Sequence, residues 1–240
     1  TALISNAEGD ATDLQRKGAL QSVRGVLHPL VRAYFNRRYT ILFYVLVFAM
    51  VATPLAAAVG LRGELIEALL AVSLVAAVMP VKGGVARHFL LAALAGLWLA
   101  RPLVAWLGYP KLSQLLLSGW TFIGLFAAAV ALRFAMQGAK VEAEHLFAAL
   151  SSYLLAGIYF GLLFWALEQF HPGSLSASNL SRTGAIYYSF VTLATIGYGD
   201  IVPRTDIARG LAVVEGVGGQ LFLAVLVARL LSLYSGRRGG

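Results

Sequence analysis

The residues whose types and spacing could do chemistry fall in one run of this 240-residue chain, Tyr187-Tyr188-Ser189-Phe190-Val191-Thr192-Leu193-Ala194-Thr195-Ile196-Gly197-Tyr198-Gly199-Asp200. Glycine at alternate positions, Gly197 and Gly199, lets the backbone swing toward positive φ at little cost, so that successive carbonyls can face one way. A row of carbonyl oxygens repeated around an axis offers a desolvating cation what its water shell offered. Thr195 adds a hydroxyl at one end of the row and Asp200 a carboxylate at the other. The chain has no cysteine, so no disulfide or thiolate metal ligand enters the argument.

The elements that must position this run are apolar. Hydrophobic residues make up 59% of the chain and charged residues 12%, against roughly 45–50% and 25% in soluble domains; this is the composition of a membrane protein. Crossing a hydrocarbon core takes about 20 apolar residues. Six stretches come near that length, 39–59, 65–79, 88–107, 112–134, 146–170 and 207–234, the second being the shortest. Between the last two lie a polar loop, 171–181, a helical stretch from Arg182, and the glycine turn, together too short to cross. Backbone that leaves the helix at membrane depth is tolerated only where protein buries it or water lines it, so the turn belongs on a pore axis.

Lysine and arginine set the orientation. If spans alternate, Arg16, Lys17, Arg24, Arg32, Arg37, Arg38, Lys82, Arg87, Arg133, Lys140, Arg229, Arg237 and Arg238 share one side, and Arg62, Lys111, Arg182, Arg204 and Arg209 the other. Cytoplasmic loops carry the excess, which predicts both termini in the cytoplasm of a bacterial-type plasma membrane and the glycine turn entering from outside. The net charge of +8 follows from this topology. It does not mark a nucleic-acid partner, because the basic residues flank apolar spans without interleaved aromatics. The first residues lack the charged and apolar regions of a signal peptide. Leu20, Val23, Leu27, Val31 and Tyr34 recur at helical spacing in the segment 1–38, predicting an interfacial helix that Gly25 and Pro29 weaken.

The run resembles the pore helix and selectivity filter of the potassium channel family. That family's Thr-Val-Gly-Tyr-Gly-Asp differs from Thr195-Ile196-Gly197-Tyr198-Gly199-Asp200 only by isoleucine for valine. The flanking spans, 146–234, are similar to the outer and inner helices of its pore. The resemblance implies an all-α membrane fold of six transmembrane helices per subunit with a re-entrant pore helix and filter. It also implies a homotetramer, because one filter strand cannot surround an ion and closed fourfold symmetry must complete the ring. The activity implied is passive K⁺ conduction without a cofactor, the ion being held at the filter residues Thr195, Ile196, Gly197, Tyr198 and Gly199. The partners implied are three further copies of the chain, lipid and K⁺.

On the same resemblance, Asp200 stands at the outer mouth, while Tyr198 turns from the ion and packs on pore-helix aromatics such as Tyr187 and Tyr188, with Thr192 as further support. Ala194 departs from the second threonine common in the family and removes a cavity-facing hydroxyl. Gly219 lies nineteen residues after Asp200, at the place of a hinge glycine, leaving Gly216 and Gly218 to packing. Helical spacing puts Gln220, Leu223, Val227 and Leu231 on one face, toward the cavity.

Other readings compete. Gly197-Tyr198-Gly199-Asp200 fits the Gly-x-Gly-Asp signature of intramembrane aspartyl proteases, but that chemistry needs two carboxylates sharing a proton. The remaining aspartates, Asp10, Asp13 and Asp206, supply none inside another span. A weakly selective cation channel or a regulatory subunit would also accommodate the run.

The chain divides by this reading into a segment 1–38, a four-helix peripheral domain 39–136 and a pore domain 145–236. Steep voltage sensing needs several arginines in one span; between 112 and 136 only Arg133 occurs, so strong voltage gating is not expected. Charged residues at membrane depth need partners, which predicts pairing of Glu67 with Arg101. It also predicts that Glu215, about two turns into the last span, is buried behind the filter as a neutral donor to Tyr187, Tyr188, Ser189 or Thr192.

Overall fold

In the computed structural model the chain divides into two units, Thr1–Arg38 and Tyr39–Gly240. The structure describes residues 37–59, 71, 72, 75, 84–137, 142–177 and 179–236, nearly all of them in the second unit. The architecture of that unit is all-α: α1 (Arg38–Ala58), α2 (Gly84–Trp106), α3 (Pro110–Ala135), α4 (Ala143–Phe170), the short α5 (Arg182–Leu193) and α6 (Asp206–Gly236). Two described helices are long and apolar enough to cross a membrane, α4 and the Asp206–Leu231 part of α6; the apolar stretches Arg38–Thr53, His88–Leu97 and Gly119–Ala135 are shorter. The interfacial helix expected in 1–38 and most of the expected span 65–79 lie outside the described residues. So do Glu67 and the side chain of Arg101.

Small residues let these helices approach, as packing between apolar helices requires. Ala127, Ala128, Ala131 and Ala135 of α3 share one buried cluster with Ala148, Ala149, Leu155 and Ile158 of α4, and Leu42 and Leu46 of α1 and Leu94 of α2 complete it. At Gly124 of α3 an added Cβ would fall on the ring of Tyr159 of α4. Glu144, in the first turn of α4, accepts from the backbone N–H groups of Tyr39 (2.9 Å) and Thr40 (3.3 Å) and from the Thr40 hydroxyl. It thereby satisfies orphan donors at the start of α1.

The short helix α5 is seated on α4 in the same way. An added Cβ at Gly161 would lie 2.5 Å from the Cα of Ile186, and one at Gly157 2.5 Å from the ring of Phe190, so α5 rests almost backbone to backbone on α4. Above it, Phe164, Leu175, Leu180, Ala185 and Tyr188 form a second buried cluster. The loop that caps this cluster is held at both ends. The Glu168 carboxylate accepts from the N–H groups of Gly173 (2.7 Å) and Leu175 (2.9 Å). Ser176 N–H donates to Val202 O (2.9 Å) and Arg204 N–H to Ser174 O (2.8 Å), pairing the loop before α5 with the chain after the glycine turn. In contrast, α6 leaves a long apolar surface uncovered, including Val213, Val214, Val217, Leu221 and Val225.

Candidate functional site

The local sequence builds the site in order. Ser181 stops the preceding loop by accepting the Gly184 N–H on its hydroxyl at 3.0 Å, the N-cap that starts α5. At the other end Ala194 is the C-cap, and the chain turns out of the helix at Thr195, whose φ is 55°. Gly197 (59°) and Gly199 (81°) follow with positive φ, while Ile196 and Tyr198 between them do not. The alternation expected at the two glycines therefore begins one step earlier, on a threonine, where it is strained.

Hydrogen bonds fix which way this strand presents itself. Thr195 N–H donates to Thr192 O (3.0 Å), and the N–H groups of Ile196 (2.9 Å) and Gly197 (3.3 Å) both donate to Val191 O. These bonds occupy carbonyls that the end of α5 would otherwise leave bare. In a planar trans peptide the carbonyl points opposite to the N–H. The carbonyls of Ala194, Thr195 and Ile196 therefore point away from α5, to the open side of the strand. Every residue from Ala194 to Asp200 is exposed in the single chain.

The remaining predicted residues fall around this strand. The rings of Tyr187 and Tyr198 are parallel, with centroids 6.5 Å apart and planes 6° from one another. Tyr188 is not part of that stack. It is buried and meets Phe164 of α4 edge-on at 4.8 Å, placing it behind α5. Thr192 is half-buried, its carbonyl facing Gly216 of α6.

On α6, the Gln220 amide donates to the Thr195 hydroxyl at 3.3 Å, and Leu223, Val227 and Leu231 are exposed in the single chain. At Gly219 α6 lies close against α5: an added Cβ would sit 2.5 Å from the Leu193 carbonyl oxygen, whereas one at Gly218 would meet nothing within 4 Å. The tight contact thus lies at the proposed hinge position and not at Gly218.

Glu215 is 1% exposed, and Oε1 is hydrogen-bonded to Ser189 of α5. The Ser189 hydroxyl also lies 2.6 Å from the carbonyl oxygen of Gly157 in α4. Depth alone leaves Ser189 as one of four possible partners. The part played by Gly157 has no signal in the sequence, since any helix carbonyl could serve. Arg182, at the start of α5, places its guanidinium 4.6 Å from the Trp165 ring centre, a cation–π contact that ties the start of α5 to α4.

A short helix, a turn whose first carbonyls face away from that helix, and two flanking apolar helices long enough to cross a membrane form the arrangement that the pore segment of an ion channel requires. Residues 149–235 match the family described as "Ion channel". The relatives narrow it further. The chain is 46% identical over 48 residues to the two-pore potassium channel 4 of Arabidopsis thaliana, covering 20% of this chain and 17% of that one. It is 32% identical over 87 residues to the inward rectifier potassium channel Kirbac3.1 of Paramagnetospirillum magnetotacticum, covering 35% and 27%. It is 30% identical over 81 residues to the voltage-gated potassium channel regulatory subunit KCNF1 of Rattus norvegicus, covering 33% and 16%. Over this segment the chain is similar to potassium channels. It spans about a quarter or less of the length of these curated relatives, and no solved structure matches it.

Proposed function

We propose that four copies of this chain assemble around the strand Thr195–Gly199 and conduct K⁺ selectively and passively across a membrane. The observation that carries the reading is the direction of the strand. The N–H groups of Thr195, Ile196 and Gly197 are turned back onto α5, φ is positive at Thr195, Gly197 and Gly199 and not at the residues between them, and every residue of the strand is exposed in the single chain. A row of carbonyls from one chain cannot encircle an ion, whereas four such rows supply the oxygens that replace a K⁺ hydration shell. The uncovered apolar surface of α6 is the surface such an assembly and its lipid would cover. Six spans with both termini in the cytoplasm, a peripheral role for the first four, and gating without a steep voltage dependence complete the reading.

The test is ⁸⁶Rb⁺ uptake into proteoliposomes under a K⁺ gradient, with Na⁺ as competitor. Uptake that K⁺ competes for and Na⁺ does not is the expected result. Equal competition by the two ions would overturn selectivity and leave a weakly selective cation pore.

A further inference from the structure

Ser189 carries a single hydroxyl proton and stands between two oxygens. It lies 2.6 Å from the carbonyl of Gly157 and is hydrogen-bonded to Oε1 of Glu215. A hydroxyl donates once and accepts twice, and a backbone carbonyl only accepts. If Ser189 donates to Gly157, its second link holds only when the carboxyl itself brings a proton. A carboxylate at that place would leave one of two close oxygen pairs without a hydrogen, in a site where Glu215 is 1% exposed. No described cation pairs with Glu215, and burying an unpaired charge is far more costly than burying a hydrogen-bonded neutral group. Its other oxygen, Oε2, has no hydrogen-bond partner among the described residues. Glu215 also lines a cavity of about 310 Å³ between α3, α4 and α6, whose wall includes Ser152, Tyr153, Leu193 and Gly219. The cavity is lined mostly by apolar side chains, and Ser152 and Tyr153 are the polar residues beside Glu215 in its wall.

The chain of contacts runs Glu215 of α6, Ser189 of α5, Gly157 of α4. It crosses the back of the pore helix at Ser189, two and three residues before Val191 and Thr192, whose carbonyls hold the N–H groups of Thr195, Ile196 and Gly197. We infer that Glu215 is a positioning residue for the filter, acting as a neutral hydrogen-bond donor that fastens the inner helix through Ser189 to the outer helix. This rests on the K⁺-channel reading for its consequence, though not for its chemistry. It separates Glu215 from a cation-concentrating charge: the side chain lies behind α5, and the residue of α6 that reaches the filter strand is Gln220.

The experiment compares Glu215→Gln, Glu215→Leu and Ser189→Ala as assembled tetramers, isolated by size, in the ⁸⁶Rb⁺ assay. Glutamine can donate to Ser189 through its amide, so it should keep the Rb⁺ over Na⁺ preference within about threefold, while leucine and Ser189→Ala should each lose on the order of tenfold. The double variant Glu215→Leu/Ser189→Ala should be no worse than either single one, because both cut the same link. Loss with glutamine as large as with leucine would show that the charge acts and overturn the inference. So would leucine tetramers that melt earlier yet keep their selectivity, since that is a purely structural role.

Infrared difference spectra supply an arm independent of flux. The wild-type chain should show the C=O stretch of a carboxylic acid that disappears in Glu215→Gln and shifts in Ser189→Ala. Its absence would overturn the inference even in a conducting channel. Its presence in a protein that fails to conduct would sustain the hydrogen-bond assignment and count only against the K⁺-channel reading.

Discussion

Gln220 of α6 donates its side-chain amide to the hydroxyl of Thr195 at 3.3 Å, so α6 touches the start of the Thr195–Gly199 strand directly. Thr195 is also the residue held at a φ of 55°, a conformation disfavoured for a β-branched side chain. Its neighbours must therefore supply what keeps it there. Gln220 is one such neighbour, and the Thr195 N–H bond to Thr192 O is another.

Replacing Gln220 by leucine removes this donor. A hydrogen bond of this kind contributes about 1 kcal/mol, so the K⁺ concentration that half-protects the tetramer against heat should rise about fivefold. Melting temperatures across a K⁺ titration, with Na⁺ holding ionic strength constant, make the measurement. An unchanged midpoint would show that the contact does not bear on ion binding.

Gly219 and Gly218 offer a contrast within one helix. A methyl at Gly219 would collide with the Leu193 carbonyl at 2.5 Å, while at Gly218 it would meet open space. Overpacking of this sort costs about 1–3 kcal/mol, and alanine in an open helical site gains up to about 1 kcal/mol over glycine. Gly219→Ala should therefore lower the melting temperature of the assembled protein, and Gly218→Ala should leave it unchanged or raise it. Equal effects would mean that α6 sits differently against α5 in the tetramer.

These glycines show where sequence reading stops. A glycine needed for a bend and one needed for close approach look alike in a sequence, because both reasons act by removing Cβ. Only the partner atom, here the Leu193 carbonyl, tells them apart. The described helices α1 to α4 and α6 were legible as helices, since an apolar stretch bounded by polar loops has few alternatives in a membrane. The start of α5 at Arg182 was legible for the same kind of reason, following a loop that ends on a capping serine. Tyr187 and Tyr188 were half legible: neighbours on a helix point about 100° apart, so both could not meet Tyr198. The strained φ of Thr195 was not legible, because threonine does not favour that conformation and only the surrounding bonds impose it. Neither was Glu144, whose partners lie more than a hundred residues away at the start of α1.

Glu144 joins two helix beginnings, and its removal should be felt at the far one. It accepts two backbone N–H groups of α1 from within the first turn of α4, a place where negative charge also suits the helix dipole. Glu144→Ala should destabilise the chain by about 2 kcal/mol and Glu144→Gln, which keeps an acceptor, by about half that. Hydrogen exchange at the Tyr39 and Thr40 amides should speed up in the same order. Protection that survives in the alanine variant would show that α1 is held without this contact.

Gly197 carries the sharpest separation between strain and collision. The added methyl of Gly197→Ala would meet nothing within 4 Å in its own chain, so crowding inside the subunit is not the issue. The φ of 59° is, since it lies where an L-side chain adds roughly 1–2 kcal/mol of strain. The backbone can relieve that strain by rotating the peptide, which turns a carbonyl off the axis it shares with Thr195 and Ile196. Gly210, early in α6, is the control: it has open space around its Cβ position and ordinary helical φ. Gly210→Ala should conduct as the parent does and melt no lower, because alanine suits a helix better than glycine. Gly197→Ala should assemble at normal yield, since four times a small strain does not outweigh the burial of α6, yet lose K⁺-selective ⁸⁶Rb⁺ uptake altogether. Selective uptake that persists in Gly197→Ala tetramers would mean that the Gly197 conformation is not what presents the carbonyls, and the filter assignment for this strand would have to be given up.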